Sequence, residues 1–367
     1  NPFAHLQFYL MIKRNRALVL CILFMAGLLY FACVDTLEIS PPHQSLKLAV
    51  DGRITTGDQG NVVRLTYSAS ANSRVYNPVA SAEVTISDDQ GKSERLSFDG
   101  TQYVLAGDQV KGRVGSAYTL HIRMPDGKVY QSQPEVIPPA PQLDSLSYTV
   151  AFKQIPVANS TTLLEKAFFL LNLHLTMPAA SGTKPYYRID QENVFTLTEL
   201  PVVGTPKTPA TCYSYGDEHI QKILLLDGSN YQPGAAVELE VLEKRISEYF
   251  NQPFIFDVRV RSMSQASFDY WNAAGQVANP PGSLFDTPPA SVPGNLFNVE
   301  DREEEVLGFF EAVATDSIRI TTTRADIAPL ASLPSPPCDL GSFFAKDYCY
   351  FCLSLPNATM LRPHYWK

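Results

Sequence analysis

Between Leu46 and Arg324 the chain repeatedly places an apolar side chain at every second position, which restricts it to half-buried strands. Leu46, Leu48 and Val50 alternate with Lys47, Ala49 and Asp51. The same period of two recurs at Val63, Leu65 and Tyr67, at Ala82, Val84 and Ile86, and at Tyr118, Leu120 and Ile122. Further along, Phe169, Leu171, Leu173 and Leu175 face one way, with Asn172, His174 and Thr176 on the other side. Phe254, Phe256, Val258 and Val260 alternate with Asp257, Arg259 and Arg261. The 28 prolines break helices and central strands, while 20 phenylalanines and 18 tyrosines favour pleated surfaces. The expected fold class is mainly β, made of many short strands.

Turn chemistry divides this pattern into parts. Asp51-Gly52, Asp99-Gly100 and Asp126-Gly127 read as hairpin turns, and Asp88-Asp89-Gln90-Gly91 as a longer loop. Residues 46–137 are expected to form an immunoglobulin-like β-sandwich. Pro138, Pro139 and Pro141 make residues 138–142 a stiff linker. Residues 143–324 form a second β-rich domain. It contains Tyr186-Tyr187-Arg188-Ile189 and the buried-type run Ile223-Leu224-Leu225. Its one short helix, Gln265–Gln276, is capped by Ser264 and packs Phe268 and Trp271 on a sheet. Asn279–Gly294 reads as a loop and Asp301–Glu305 as a solvated acidic turn; Val306–Ala314 and Ser317–Thr323 are a closing strand pair. Residues 325–367 are an irregular tail stapled by disulfides.

The N-terminal region is of another kind. Lys13, Arg14 and Arg16 precede an uncharged apolar run from Ala17 to Ala32, the pattern of an export signal. The run ends in Ala32-Cys33, which resembles the lipobox of bacterial lipoproteins, cut just before a cysteine that carries lipid; Tyr30 and Phe31 depart from it. Residues 1–10 are read as a non-native upstream start, 11–32 as the signal peptide and 33–45 as a tether. A cleaved secretory signal and an uncleaved anchor are the rival readings. Of the 29 basic and 37 acidic residues only Lys13, Arg14 and Arg16 precede Cys33, so the mature chain keeps 26 basic residues and a net charge of −11. That balance gives no attraction to nucleic acid and leaves anchoring to the lipid on Cys33.

Several short stretches, taken in order, resemble the bacterial outer-membrane lipoprotein family known as domain of unknown function 4249. They are Val50-Asp51-Gly52-Arg53-Ile54-Thr55, Pro78-Val79, Ala82–Asp88 and Gly115–Leu120, followed by Tyr186-Tyr187-Arg188, Gly294-Asn295-Leu296 and Gly308-Phe309-Phe310. The ending from Cys349-Tyr350-Phe351-Cys352 to Arg362-Pro363-His364-Tyr365-Trp366 completes the set, with His364 where the family often has an acidic residue. The resemblance implies a non-enzymatic protein encoded beside TonB-dependent outer-membrane transporters, an accessory or ligand-binding lid. It carries over no catalytic residue and no cofactor. The alternative expectation is a structural or adhesive cell-surface lipoprotein.

Beyond Cys21 and Cys33, four cysteines remain: Cys212, Cys338, Cys349 and Cys352. An even number in an exported chain points to disulfides, with three possible connectivities. The favoured pattern pairs Cys349 and Cys352 outward, to Cys338 and Cys212. A zinc site using the tail cysteines with His364 or Cys212, and a Cys-x-x-Cys redox site, are the alternatives. His121 and His174 are expected to be solvated, and no histidine pair has metal-ligand spacing. There is no Gly-x-Ser-x-Gly elbow, phosphate loop or Asp-x-Asp-x-Asp-Gly calcium spacing. Tyr186, Tyr187, Tyr213, Tyr215, Tyr270 and Trp271 are the candidate ligand-stacking aromatics, with sheet packing as the competing role. Thr36, Ser145 and Ser317 stand in Asp-Ser/Thr-aliphatic triplets that look like periplasmic O-glycosylation sites of bacteria carrying this family.

Overall fold

A computed structural model describes residues 46–57, 60–68, 78–158, 160–179, 184–202, 204, 208–216, 223–278, 291–338 and 346–366. The signal segment, the tether, Cys33, Thr36 and His219 lie outside the described residues, as does most of the loop expected over 279–294. Among the described residues no helix is long and apolar enough to cross a membrane.

The first part of the chain contains β1 (Leu48–Thr55), β2 (Val62–Tyr67), β3 (Glu83–Asp88), β4 (Ser93–Arg95), β5 (Ser97–Phe98), β6 (Tyr103–Val104), β7 (Ala117–Arg123), β8 (Val129–Ser132) and β9 (Glu135–Val136). There follow β10 (Gln142–Pro156), β11 (Leu163–Thr176), β12 (Tyr186–Thr198), β13 (Thr211–Tyr215), β14 (Leu224–Asp227), β15 (Ala236–Arg245) and β16 (Phe254–Met263). Helix α1 (Gln265–Ala278), β17 (Leu296–Asn298), β18 (Leu307–Thr322), the single-turn α2 (Arg324–Ile327) and β19 (Ala358–Thr359) complete the order. Among the described residues these strands form three sheets. The largest has ten strands, in the order β19-β13-β12-β16-β18-β1-β2-β6-β5 with β14 also on β12. The others are β10-β11-β15 and β17-β8-β7-β3-β4 with β9 on β7.

Register places both smaller sheets against one face of the large one. On β18, Phe310, Ala312 and Ala314 enter a core with Leu48, Val50 and Ile54 of β1 and with Leu120 and Ile122 of β7. Farther along the same strand, Ile318 and Ile320 pack on a second core, built from Phe254, Phe256, Val258 and Val260 of β16 and Phe169, Leu171 and Leu173 of β11. These β18 residues are all even-numbered and share a face, because side chains alternate along a strand. Aromatic stacking fills the second core: Phe256 lies 4.7 Å from Phe169, and Phe254 lies 4.7 Å from Phe250. Each such pair adds about 0.5–1.5 kcal/mol beyond the area it buries.

Three expectations are corrected. Asp51-Gly52 is no turn but lies inside β1. A Cβ at Gly52 would meet Phe310 at 3.0 Å and Leu120 at 3.3 Å, so glycine is there for sheet-to-sheet packing. The closing strand pair is one 16-residue strand, β18, which runs antiparallel to β16 and parallel to β1. His121 and His174 are half-buried and each hydrogen-bonds a cross-strand serine, Ser87 at 3.0 Å and Ser147 at 2.7 Å. Burial pushes the His121 pKa down. The prolines at 138–142 are followed by a fresh sheet, yet residues 46–367 form one compact unit. The reason is that β17 and β18 return to complete the two layers begun by β1–β9. Turns at Asp99-Gly100 and Asp126-Gly127 carry the positive φ that glycine supplies, +108° and +93°.

The tail is held to the edge strand β13. Cys212 of β13 bonds to Cys352, and Cys338 bonds to Cys349. The outward pairing is the one found, and all four cysteines are disulfide-bonded. β19 pairs with β13, and the buried Glu199 accepts hydrogen bonds from the Cys352 and Ala210 amides.

Candidate functional site

The two smaller sheets leave the opposite face of the large sheet to other elements. That face presents Tyr186, Arg188, Asp190 and Glu192 of β12, Asp257, Arg259 and Arg261 of β16, Glu311, Thr315, Ser317 and Arg319 of β18, and Arg53 and Thr55 of β1. Their adjacency follows from register: Asp190 is opposite Arg259, Arg261 opposite Thr315, Asp257 opposite Arg319, and Glu311 opposite Arg53. At one end α1 lies over the face. Ser264 caps it by accepting from the Ser267 amide at 3.1 Å. Phe268 packs on Tyr186 at 4.9 Å, and the Trp271 indole donates to Glu311 at 2.9 Å while stacking on the Arg188 guanidinium at 3.9 Å. At the other end the stapled tail arrives: Tyr365 donates to Glu192, and Arg319 sits 4.9 Å from the Tyr365 ring.

Between these two covers lies an open cleft of about 600 Å³. Arg53, Arg259, Arg261 and Arg319 line it, with Thr55, Thr315, Ser317 and His364 among the remaining walls. The carboxylates that hold these arginines lie mostly beneath them. Asp257, with a side chain only 2 % exposed, meets Arg319 at 2.6 Å and Arg259 at 3.3 Å. Glu311 is buried 3.5 Å from Arg53, and Arg261 pairs with the half-buried Asp190.

Protonation follows from burial set against charge. Burial raises the Asp190 carboxyl, but Arg261, Arg188 and Arg53 outweigh it and hold the group below its ordinary value. For Asp257, burial prevails over Arg319 and Arg259, and the group is pushed up. Burial lowers the Arg261 guanidinium to about 10, against the pull of Asp190, so it stays cationic at neutral pH.

Beside the helix cap a second buried carboxylate, Glu135 of β9, accepts from Ser264 at 2.6 Å and from Asn295 at 3.3 Å. Burial raises its pKa, the two hydrogen bonds oppose the rise, and Glu311 adds to it. A carboxyl raised in the fold contributes stability that is complete below its unfolded pKa, about 4.3 for glutamate, and is lost as pH rises through the folded value. Glu135→Gln keeps partners for Ser264 and Asn295 but cannot ionise. It is expected to melt at a higher temperature than wild type at pH 7, and the gap should close as pH falls towards 4. Paired thermal melts across that range check this; a constant gap would contradict it.

The aromatic candidates do not form one surface. Tyr187 belongs to the core, 2 % exposed, which removes it as a ligand contact. Tyr186, Tyr270 and Trp271 gather under and along α1, with Tyr270 on Phe309 at 5.0 Å. Tyr213 and Tyr215 are on β13, where Trp366 meets Tyr213 edge-on at 5.3 Å. Ser145 is exposed on β10; Ser317 is half-buried in the cleft wall, and its hydroxyl accepts from Arg319 at 3.3 Å. The cleft arginines were not among the candidates. Their signal was the Asp257-x-Arg259-x-Arg261 polar face, where an ordinary solvated strand face would mix serine, threonine and lysine. Among the described residues no three His, Cys, Asp or Glu side chains are placed to hold a metal ion.

The described residues thus form a mainly β body, with one polar face of the large sheet left open between α1 and the disulfide-stapled tail. The chain belongs to the family described as Domain of unknown function (DUF4249), whose model matches residues 34–319. No curated protein and no solved structure matches the chain.

Proposed function

We propose that this chain is a non-enzymatic outer-membrane lipoprotein, anchored by lipid on Cys33, that serves a TonB-dependent transporter as an accessory or ligand-binding lid. The observation that carries the reading is the open cleft of about 600 Å³ on the large sheet, walled by preorganised arginines. Clefts with a few fixed polar groups are where ligands are held. Supporting it, Ala32-Cys33 closes an export signal, and Val34–Ser45 would join the lipid to the body. Several acyl chains hold such a body firmly, whereas one holds it marginally.

A structural or adhesive surface role is the second reading. It is favoured by the β10–β11 hairpin, which exposes Phe152, Leu163 and Leu164. The test is a membrane pulldown of natively expressed, tagged protein, comparing wild type with Cys33→Ala by mass spectrometry. A TonB-dependent barrel recovered with wild type only is the expected result. A membrane-bound wild type that recovers no barrel would favour adhesion instead.

A further inference from the structure

The geometry points to a ligand for the cleft that carries two or more oxyanion groups, carboxylates or phosphates, gripped by Arg53, Arg259, Arg261 and Arg319. This deepens the lid reading by naming the ligand's chemistry, but the binding step needs no transporter.

Charge is layered here. The Arg259 and Arg319 side chains are 42 % and 37 % exposed, whereas the Asp257 carboxylate they share is 2 % exposed. A guanidinium offers five N–H donors in a rigid fork, and one buried carboxylate cannot use those of two arginines. Both arginines line the cleft. Ion pairing of Arg259 and Arg319 to Asp257, and of Arg53 to Glu311, restrains these side chains, so less side-chain entropy remains to be lost when an anion arrives. Arg53 is steadied in the same way, donating to the Gly60 carbonyl at 3.2 Å.

Spacing sets the number of anionic groups. Arg259 and Arg261 are two residues apart on one face of β16, about 7 Å along a strand rising ~3.4 Å per residue. Arg319 stands on β18 two ladder positions from Ser317, the partner of Arg259, and so on the same face. Arg53 reaches in from β1, on the far side of β18. A single small anion could touch one or two of these groups; a ligand with several oxyanions along its length could engage all four. Ser317 and Thr315 hydroxyls lie between them as neutral donors. Asp316 also borders the cleft, and its carboxylate accepts from the Ser317 amide at 2.8 Å. All this occurs in a chain of net charge −8, so the cleft is a local reversal of sign.

The test uses the purified full chain in detergent and calorimetric titration with three probes: trigalacturonic acid, inorganic tripolyphosphate and the uncharged maltotriose. Binding of at least one anionic probe, weakened by raising salt, with no binding of maltotriose, is the expected result. Preference for the first assigns the ligand to carboxylated sugars and preference for the second to phosphate-bearing molecules. Arg259→Ala/Arg319→Ala should abolish the heat. Because that variant strands Asp257, Arg259→Lys is read beside it. It keeps the charge but loses the fork, and should weaken binding about tenfold at an unchanged melting temperature. Arg95→Ala, at an exposed arginine on β4, should bind like wild type. Absence of binding by both anions, equal binding of all three probes, or wild-type affinity in Arg259→Lys and in the folded double variant would each overturn the proposal. A failed pulldown with intact anion binding would count against the transporter alone.

Discussion

Replacing Cys212 and Cys352 together by serine is expected to lower stability by about 5 kcal/mol, by the loop-entropy relation for a long closed loop. The bond joins positions 140 residues apart, so its loss frees a large loop in the unfolded chain. The same change at Cys338 and Cys349, 11 residues apart, should cost only about 3 kcal/mol by that relation. Denaturant midpoints of the two double variants, compared at equal slope, give both numbers. Equal losses would mean that native packing around the sulfurs, not loop length, sets the effect. There is a functional side to the first variant. Cys352 fixes the tail whose continuation places Tyr365 on Glu192 and His364 in the cleft wall, so freeing it should loosen one wall.

Gly308→Ala is expected to cost at least about 3 kcal/mol, combining a positive-φ penalty of ~1–3 kcal/mol with a backbone clash. Gly308 has φ +93°, and a Cβ there would sit 1.8 Å from the Val50 carbonyl oxygen. No flexible side chain can yield, because the obstacle is the backbone of β1, the parallel partner of β18. A Cβ at Gly294 would in turn meet the Gly308 carbonyl at 1.8 Å. The next residue, Asn295, then completes the joint: its amide accepts from the Phe310 N–H at 2.9 Å and donates to the Phe310 carbonyl at 2.8 Å, as a neighbouring strand would. Loss of soluble protein, or a melt well below wild type, is the outcome to look for; a wild-type melt would show that β1 and β18 can separate locally. Three of the stretches that carry the family resemblance therefore meet at one joint between β1 and β18.

Period-two patterning was legible because each strand buries one face, and nearly every segment that alternates in the sequence is a strand in the fold. Ser264 as the cap of α1 and the packing of Phe268 and Trp271 could likewise be read from local chemistry; the four cysteines announced disulfides, but which pairs form came from the fold. Asp51-Gly52 misled because the dipeptide is a good hairpin turn in isolation, and only the approach of Phe310 and Leu120 from elsewhere explains glycine inside a strand. His121 and His174 misled for a related reason: their serine partners lie across the sheet, 34 and 27 residues away.

The cleft shows most plainly where sequence stops. Local alternation determined that Arg259 and Arg261 share the polar face of one strand, because that depends only on the pleat. It could not determine that Arg53 and Arg319 stand beside them, or that Asp257 and Glu311 lie beneath. Those neighbours come from parallel pairing of β1 with β18, strands more than 250 residues apart, and from register across β16. Pairing at that distance is decided by how whole faces fill the two cores. The sequence by itself therefore determined most strands, most turns and the helix cap. Only the tertiary structure decided which charges meet.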